Sequence, residues 1–300
     1  MQNNKIINVL KTGKILVSDG AWGTFLHKKG LKIGDNPERW CITRFDEVKD
    51  IAQSYVDAGA DMVKTNSFGG TSLMLEKFGL AGQAAEVNET AARASREAAD
   101  TAKGRYIWVI ASAGPTGKML VTEEVTEQEI YAAFKEQAAA LEKGGADAIC
   151  IETMSDIEEA VIAIKAAKEN TKLEIICTFT FEKTVRGDYR TMMGVSPSDA
   201  AKACIDAGAN IIGTNCGNGI ERMIDIVKEM KAAVPESFIL VHANAGLPVN
   251  IDGKVVFPET PQDMVKFVPA LIDAGANIIG GCCGTTPDHI RAIKKTVSEL

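Results

Sequence analysis

Short apolar runs alternate along this chain with longer segments in which apolar residues recur at helical spacing. Such alternation is typical of repeated strand–helix units and a parallel sheet, whose strands are buried on both faces and therefore almost wholly apolar. Eight runs have strand length, and they occupy residues 14–20, 61–67, 107–114, 148–154, 174–181, 211–216, 238–246 and 278–284. A helical segment follows each run, so the pattern predicts eight successive βα units.

Two of the predicted helices begin with capping residues. Thr126 stands three residues before Glu129, which is the spacing of a capping box. Ser155 precedes the acidic residues Asp156 and Glu158, a pattern that favours a helix N-terminus. The sequence therefore predicts helix starts at Thr126 and near Ser155.

A four-residue repeat supports the count of units. AGAD at 58–61, GGAD at 144–147, and AGAN at 207–210 and 274–277 stand before the second, fourth, sixth and eighth runs. A glycine that ends a helix, followed by a short turn into the next strand, explains each copy. With 300 residues, the usual size for this architecture, the chain is predicted to form one (β/α)₈ barrel domain over residues 1–300.

Composition excludes several other classes of protein. The net charge of −7 argues against a nucleic-acid-binding surface, which normally carries a basic excess. The sequence contains neither an apolar stretch long enough to cross a membrane nor the pattern of a signal peptide at its start, so we expect a cytoplasmic protein with no membrane partner. Seven cysteines in a reducing compartment are better interpreted as core residues, ligands or nucleophiles than as disulfides.

Polar residues gather at the ends of the apolar runs. The catalytic groups of a (β/α)₈ barrel lie at the carboxyl ends of its strands, so these residues are the candidate site. They are Asp19, Thr65, Asn66, Ser67, Glu152, Thr153, Asn215, Cys216, Asn244, Cys282 and Cys283.

Three of these residues predict a metal site. Cys282 and Cys283 are flanked by glycines that let the backbone turn, so both sulfurs can reach one ion, and Cys216 ends the sixth run on the same face. Three thiolates leave one position of a tetrahedral zinc ion open, as catalytic sites do, and sulfur ligation favours Zn²⁺ over Mg²⁺, Ca²⁺ or Mn²⁺. Inert buried thiols and a redox or nucleophilic cysteine remain alternative interpretations.

A zinc site of this kind favours thiol activation. A free thiol is only a few per cent ionised at neutral pH, whereas coordination to a divalent cation deprotonates it. Three anionic sulfurs overcompensate the charge of zinc, so the site suits a bound thiolate better than the activation of water. The chemistry that this pattern favours is alkylation at sulfur.

Several motifs together resemble the homocysteine S-methyltransferase family over nearly the whole chain. The motifs are DGAWGT (19–24), NC (215–216), HANAGLP (242–248) and GGCCGTTPDHI (280–290). With GPTGK (114–118), the GGCCGTTP spelling is most similar to the homocysteine-binding module of cobalamin-dependent methionine synthase.

The resemblance implies that a zinc-bound homocysteine thiolate attacks an activated methyl group and forms methionine. It makes Cys216, Cys282 and Cys283 the zinc ligands. It also implies that Asp19 and Glu152 hold the substrate's ammonium group, and that Asn244 brings a side-chain oxygen near zinc or substrate. The amides expected to bind the substrate's carboxylate are those of Gly20, Ala21 and Trp22.

The methyl donor is the least constrained part of this hypothesis. No segment resembles the corrinoid-binding motif Asp-x-His-x-x-Gly, so we expect methylcobalamin or another methylcorrinoid to be supplied by a separate corrinoid protein. One alternative is a donor such as S-methylmethionine or betaine, which requires aromatic groups around its onium methyl. The others are a different acceptor thiol and a non-catalytic zinc protein, for which a fourth protein ligand is expected.

Overall fold

Eight parallel strands form a nearly closed ring in the computed structural model, which describes residues 5–251 and 254–300. In chain order they are β1 (Leu16–Val17), β2 (Met62–Lys64), β3 (Trp108–Ala113), β4 (Ala148–Met154), β5 (Glu174–Phe179), β6 (Ile211–Gly219), β7 (Phe238–Asn244) and β8 (Ala276–Gly281). Each overlaps the apolar run predicted for it, and helices surround the ring. The predicted (β/α)₈ barrel is therefore confirmed.

Backbone and side-chain hydrogen bonds close the ring between β1 and β2, which stand at the two ends of the hydrogen-bonded order β1-β8-β7-β6-β5-β4-β3-β2. The backbone N–H of Asp61 donates to the carbonyl of Val17 at 2.7 Å, and the Asp61 carboxylate accepts the Val17 N–H at 2.9 Å. Nearer the carboxyl ends, the carboxylate of Asp19 accepts the backbone N–H of Lys64 at 2.7 Å. Two carboxylates thus satisfy backbone groups where the ladder stops.

The helices pack against the outer face of the ring. Along β7, for example, Ile239 and Val241 face the helical layer, while Leu240 between them faces the interior. The α-helices are Ile6–Leu10, Gly23–Lys28, Trp40–Thr43, Phe45–Asp57, Ser72–Leu75, Ala84–Ala99, Glu127–Lys143, Ile157–Asn170, Pro197–Ala207, Ile220–Ala233, Pro261–Val265, Val268–Asp273 and Pro287–Glu299. None of the helices in the described ranges is long and apolar enough to cross a membrane.

One predicted helix start is confirmed and the other is off by one residue. Thr126 and Glu129 form the expected capping box at the start of Glu127–Lys143. The next helix is capped by Asp156 and not by Ser155, because the Asp156 carboxylate accepts the N–H of Glu158 at 2.9 Å. Both caps satisfy amides that have no partner within their helices.

The interior of the barrel is apolar at the end opposite the candidate site. Inward-facing side chains from the strands form one cluster, which the helix Ile6–Leu10 covers with Ile6 and Leu10. The carboxylate of Glu174, at the start of β5, accepts the N–H groups of Ile6 at 2.6 Å and Ile7 at 3.1 Å. This contact fixes the helix across the amino ends of the strands, so only the opposite end of the barrel is open to ligands.

The four-residue repeat has a structural role in every copy. Its glycine adopts a positive φ of 96° to 114°, which explains why each helix ends in glycine. The last residue of each copy accepts a hydrogen bond, at 2.8–2.9 Å, from the second residue of the preceding odd-numbered strand. The pairs are Asp61 with Val17, Asp147 with Val109, Asn210 with Ile175, and Asn277 with Ile239.

Removal of one of these side-chain acceptors is expected to destabilise the barrel. Asn277→Ala leaves the Ile239 amide without its partner and should lower the free energy of unfolding by about 1–2 kcal/mol. Asn277→Asp, which restores the acceptor that two of the copies use, is the matched control and should lose much less. Urea denaturation followed by circular dichroism measures both, and equal stability of the alanine variant and the wild type would contradict the assigned role.

Candidate functional site

Three cysteine sulfurs converge at the carboxyl ends of β6 and β8. The Sγ atoms of Cys216, Cys282 and Cys283 all lie within 4.8 Å of one another, and those of Cys216 and Cys283 are 3.9 Å apart. All three side chains are half-buried. The structure therefore brings together the three residues that the sequence singled out.

Unusual backbone geometry produces this convergence. Cys216 has a φ of 58° and the following Gly217 one of 71°, so β6 bends at the point where the first sulfur leaves the strand. After β8, the N–H of Cys282 donates to the carbonyl of Ala243 at 2.7 Å, and the carbonyl of Cys283 accepts the N–H of Ala245 at 2.9 Å. These bonds to β7 and its loop hold adjacent cysteines in a turn, where their side chains no longer point to opposite faces.

Asn215 positions the strand end that carries Cys216. Its Oδ1 accepts the hydroxyl of Thr178 at 2.6 Å and the backbone N–H of Thr153 at 2.8 Å, and its Nδ2 donates to the hydroxyl of Thr153 at 2.7 Å. Thr153 itself has a positive φ of 64°. The NC pair in the sequence is thus a ligand candidate preceded by the residue that orients it, a role that required knowledge of the neighbouring strands.

Hydrogen bonds among the three thiols shift their pKa values in opposite directions. Hydrogen bonds from Cys282 and Cys283 lower the pKa of Cys216 to about 2. The same interaction with Cys216 raises the pKa of Cys282 well above its ordinary value and that of Cys283 to about 11. The arrangement thus favours a negative charge on Cys216, which suits a bound cation.

Asn244 completes the donor set around the sulfurs. Its side chain hydrogen-bonds to Cys216, where it contributes to the lowered pKa, and it is only 3% exposed. Its Oδ1 is buried without a hydrogen-bond partner among the described residues, which is costly unless a ligand supplies one. Three sulfurs and an unpaired amide oxygen fit the preferences of Zn²⁺.

A buried lysine lies between the two acidic residues that the sequence assigned to the substrate's ammonium group. Glu152 on β4 accepts a hydrogen bond from the hydroxyl of Ser112 and forms an ion pair with Lys64 Nζ at 3.4 Å. Asp19 accepts the indole N–H of Trp22 at 2.8 Å in addition to the backbone N–H of Lys64. Both carboxylates are therefore already partly engaged within the protein.

For both Lys64 and Asp19, burial and the neighbouring charges have opposite effects on the pKa. Burial lowers the pKa of Lys64, but the carboxylates of Glu152 and Asp19 outweigh it and raise the pKa above its ordinary value, so the lysine is a cation. Burial raises the pKa of Asp19, while Lys64 and the Trp22 indole partly offset that effect. Sequence reasoning missed Lys64 and Ser112, although a lysine inside an apolar strand run was a visible signal.

The loop after β1 is fixed by side chains from elsewhere in the barrel. The N–H of Ala21 donates to the hydroxyl of Thr285 at 3.0 Å, and the hydroxyl of Tyr55 donates to the carbonyl of Ala21 at 2.7 Å. A side chain at Gly20 would collide with Thr285 and Tyr55. Of the amides at Gly20, Ala21 and Trp22, that of Ala21 is thus already engaged.

A cavity of about 280 Å³ opens beside the sulfurs. The three cysteines, Glu152, Trp22 and Phe68 are among the residues that line it. Asp19 is fully buried and is not among the described residues that line the cavity, because it lies behind the indole of Trp22. Glu38, a further carboxylate in the wall, was not anticipated from the sequence.

One family model matches most of the chain. A family model described as homocysteine S-methyltransferase matches residues 16–297. Two curated relatives are methionine synthases: that of Mycobacterium leprae is 30% identical over 95% of this chain, and that of Mycobacterium tuberculosis is 29% identical over all of it. The chain spans only 24% and 26% of the length of those relatives.

Solved structures give the same fold. The homocysteine methyltransferase MmuM from Escherichia coli, in its oxidized form, matches with a TM-score of 0.78 and 23% identity, covering 96% of this chain and 97% of that one. The metallated form of the same enzyme matches with a TM-score of 0.77 and 22% identity, over 96% and 98% of the two chains.

Loss of the side chain at position 215 is expected to weaken metal binding without unfolding the protein. Asn215→Ala removes the bonds that hold the end of β6, so the affinity for Zn²⁺ should fall by about 10- to 100-fold, as is typical for residues that orient ligands. Asn170→Ala, which removes a half-buried asparagine of an outer helix, is the control. Competition with a chelating dye measures the affinity, and an unchanged value in Asn215→Ala would refute the positioning role.

Proposed function

Because this chain belongs to the homocysteine S-methyltransferase family, we propose that it methylates the sulfur of homocysteine and so produces methionine. The observation that carries the proposal is the convergence of three cysteine sulfurs within 4.8 Å at the mouth of the barrel. A cavity beside them offers space for a small thiol. Cysteines that only pack in a core are buried, whereas these three are half-buried and Cys216, Cys282 and Cys283 all line the cavity.

Cys216, Cys282 and Cys283 would hold a zinc ion. When bound, zinc deprotonates the thiol of the substrate and keeps it as a thiolate at neutral pH. The three cysteine thiolates give the site an excess of negative charge, which leaves the substrate sulfur electron-rich. Asn244, beside Cys216, offers an oxygen to the ion or to the substrate, and the metallated relative supports a metal at this site.

The remaining site residues would orient the amino acid. Glu152 faces the cavity and is proposed to bind the ammonium group, with Asp19 acting from behind the wall. The amides of Gly20 and Trp22 remain candidates for the carboxylate. The amide of Ala21 is a weaker candidate, because it already donates to Thr285. With its head group fixed in this way, homocysteine would present its sulfur to the cysteines, and the sulfur would attack the methyl carbon as the donor's leaving group departs in line.

The methyl donor is proposed to be a methylcorrinoid, such as methylcobalamin, on a separate protein. Two features support a docking partner: the similarity to methionine synthases, and exposed apolar side chains on the loops that leave β3, β5 and β7 at the mouth. Exposed apolar groups gathered on one face mark interaction sites. They are Met119, Val121, Val185, Met192, Leu247 and Val255.

A small onium donor is the second candidate. The rings of Trp22 and Phe68 in the cavity wall favour it, because aromatic faces stabilise a cationic methyl group. S-methylmethionine and glycine betaine carry such a group. Neither requires a partner protein.

A donor panel distinguishes these candidates. The zinc-loaded protein is incubated with homocysteine and, in turn, methylcobalamin, a methylated corrinoid protein, S-methylmethionine and glycine betaine, and methionine is measured by mass spectrometry. We expect the highest rate with the corrinoid donors. A faster reaction with either onium donor would favour the second candidate, and no methionine with any donor would count against the methyltransferase itself.

Loss of any one of the three cysteines is expected to abolish zinc binding. Cys216→Ala, Cys282→Ala and Cys283→Ala should each weaken zinc binding by more than about 100-fold, since even residues behind the ligands change the affinity by about 10- to 100-fold. Methyl transfer should fall with it. Cys204→Ala, a buried cysteine outside the trio, is the matched control. Wild-type zinc content in all three variants, measured by mass spectrometry of the metal, would refute the assignment.

A further inference from the structure

Lys64 is the one cationic side chain among the described residues that line the cavity. It points inward from β2 and is 5% exposed, so its charge cannot be satisfied by bulk water. Two carboxylates share the lining with it, Glu38 and Glu152. The proposed function assigns no role to Lys64.

The ammonium group of Lys64 is incompletely used within the protein. It carries three N–H donors, and the one hydrogen bond found for it in the described part of the chain runs to Glu152 Oε2 at 3.4 Å. Charge-assisted hydrogen bonds are usually 2.7–2.9 Å long, so this pairing is loose. Two donors of a buried cation thus remain for a ligand in the cavity.

Glu152 likewise keeps unused capacity. Its two oxygens accept one hydroxyl, that of Ser112, and the loose contact from Lys64, whereas a carboxylate can accept about four hydrogen bonds. The pair therefore presents a cation and an anion side by side to the same cavity. The head group of an α-amino acid carries the complementary arrangement, an ammonium next to a carboxylate.

We propose that Lys64 binds the carboxylate of the acceptor amino acid and so completes a head-group site with Glu152, which the proposed function already assigns to the ammonium group. This assignment rests on the proposed function and deepens it. A cation is needed at this point because the Ala21 amide, one of the donors expected for the carboxylate, is already engaged by Thr285.

Homocysteine and two truncated thiols test each half of the pair separately. 4-Mercaptobutyrate lacks the amino group, and 3-mercaptopropylamine lacks the carboxylate. Calorimetric titration of the zinc-loaded protein gives a Kd for each thiol without any methyl donor. Lys64→Met should raise the Kd of homocysteine and 4-mercaptobutyrate by about 10- to 100-fold and leave 3-mercaptopropylamine no weaker, as loss of a charge-assisted bond predicts.

Glu152→Gln should show the reverse pattern, with weaker binding of homocysteine and 3-mercaptopropylamine and none of this loss for 4-mercaptobutyrate. Lys143→Met, which removes an exposed lysine paired with Glu89 on the outer helices, is the control for loss of a charge and should bind all three thiols as the wild type does. Because a lone buried charge can unfold a protein, the double variant Lys64→Met/Glu152→Gln is also measured. It should bind the two truncated thiols without the preferences of the single variants.

Two results would overturn the assignment while leaving the proposed function intact. One is an equal loss of both truncated thiols in Lys64→Met, which would give the lysine a purely structural role in neutralising Glu152 and Asp19. The other is a double variant that still prefers one of the two truncated thiols, as a single variant does. If the zinc-loaded wild type bound none of the three thiols, the proposed function and the head-group site would both be wrong.

Discussion

The hydrogen bonds of Asp19 are the constraint on which the site depends. Its carboxylate accepts a backbone amide of β2 from its position at the end of β1, and so joins the two strands that the ladder leaves at opposite ends of the sheet. The same carboxylate holds the indole of Trp22, which forms the cavity wall. A parallel barrel can gather side chains from distant parts of the chain only if its ring closes. The closure of the ring, the shape of the cavity and the electrostatic environment of Lys64 therefore all involve the buried carboxylate of Asp19.

The polar layer at the top of the barrel interior contrasts with the apolar layers beneath it. The inward-facing positions of β2, β4 and β7 run from Met62, Ala148 and Leu240 at the closed end to charged or polar side chains at the open end. Burial of so many polar groups is tolerable where they bond to one another or to a ligand. His242 is an exception, because neither ring nitrogen has a hydrogen-bond partner among the described residues; burial lowers its pKa far below the ordinary value, which favours the neutral ring.

Sequence patterns predicted the architecture well because buried parallel strands are apolar throughout and leave recognisable runs. The limits of those runs were less accurate. The first run covered residues 14–20, but only Leu16–Val17 pair as a strand with β8, and on the side of β2 the carboxylate of Asp19 accepts the Lys64 amide in place of a ladder bond. The cysteine trio was visible because its residue types are rare and its glycine neighbours distinctive. Lys64, Ser112 and the role of Asn215 were not, because each acts through a residue more than 35 positions away that becomes a neighbour only in the closed ring.

The repeat before each even-numbered strand has a consequence for how this barrel can change. Its acidic and amide side chains fasten the strands two at a time at the base, on the side away from the cysteines. The repeat side chains that make these bonds and the residues of the candidate site thus lie at opposite ends of the barrel and have no residue in common. Loops at the mouth can therefore change in length or sequence during divergence while these hydrogen bonds at the base stay intact, so the specificity of the site can change without loss of the barrel.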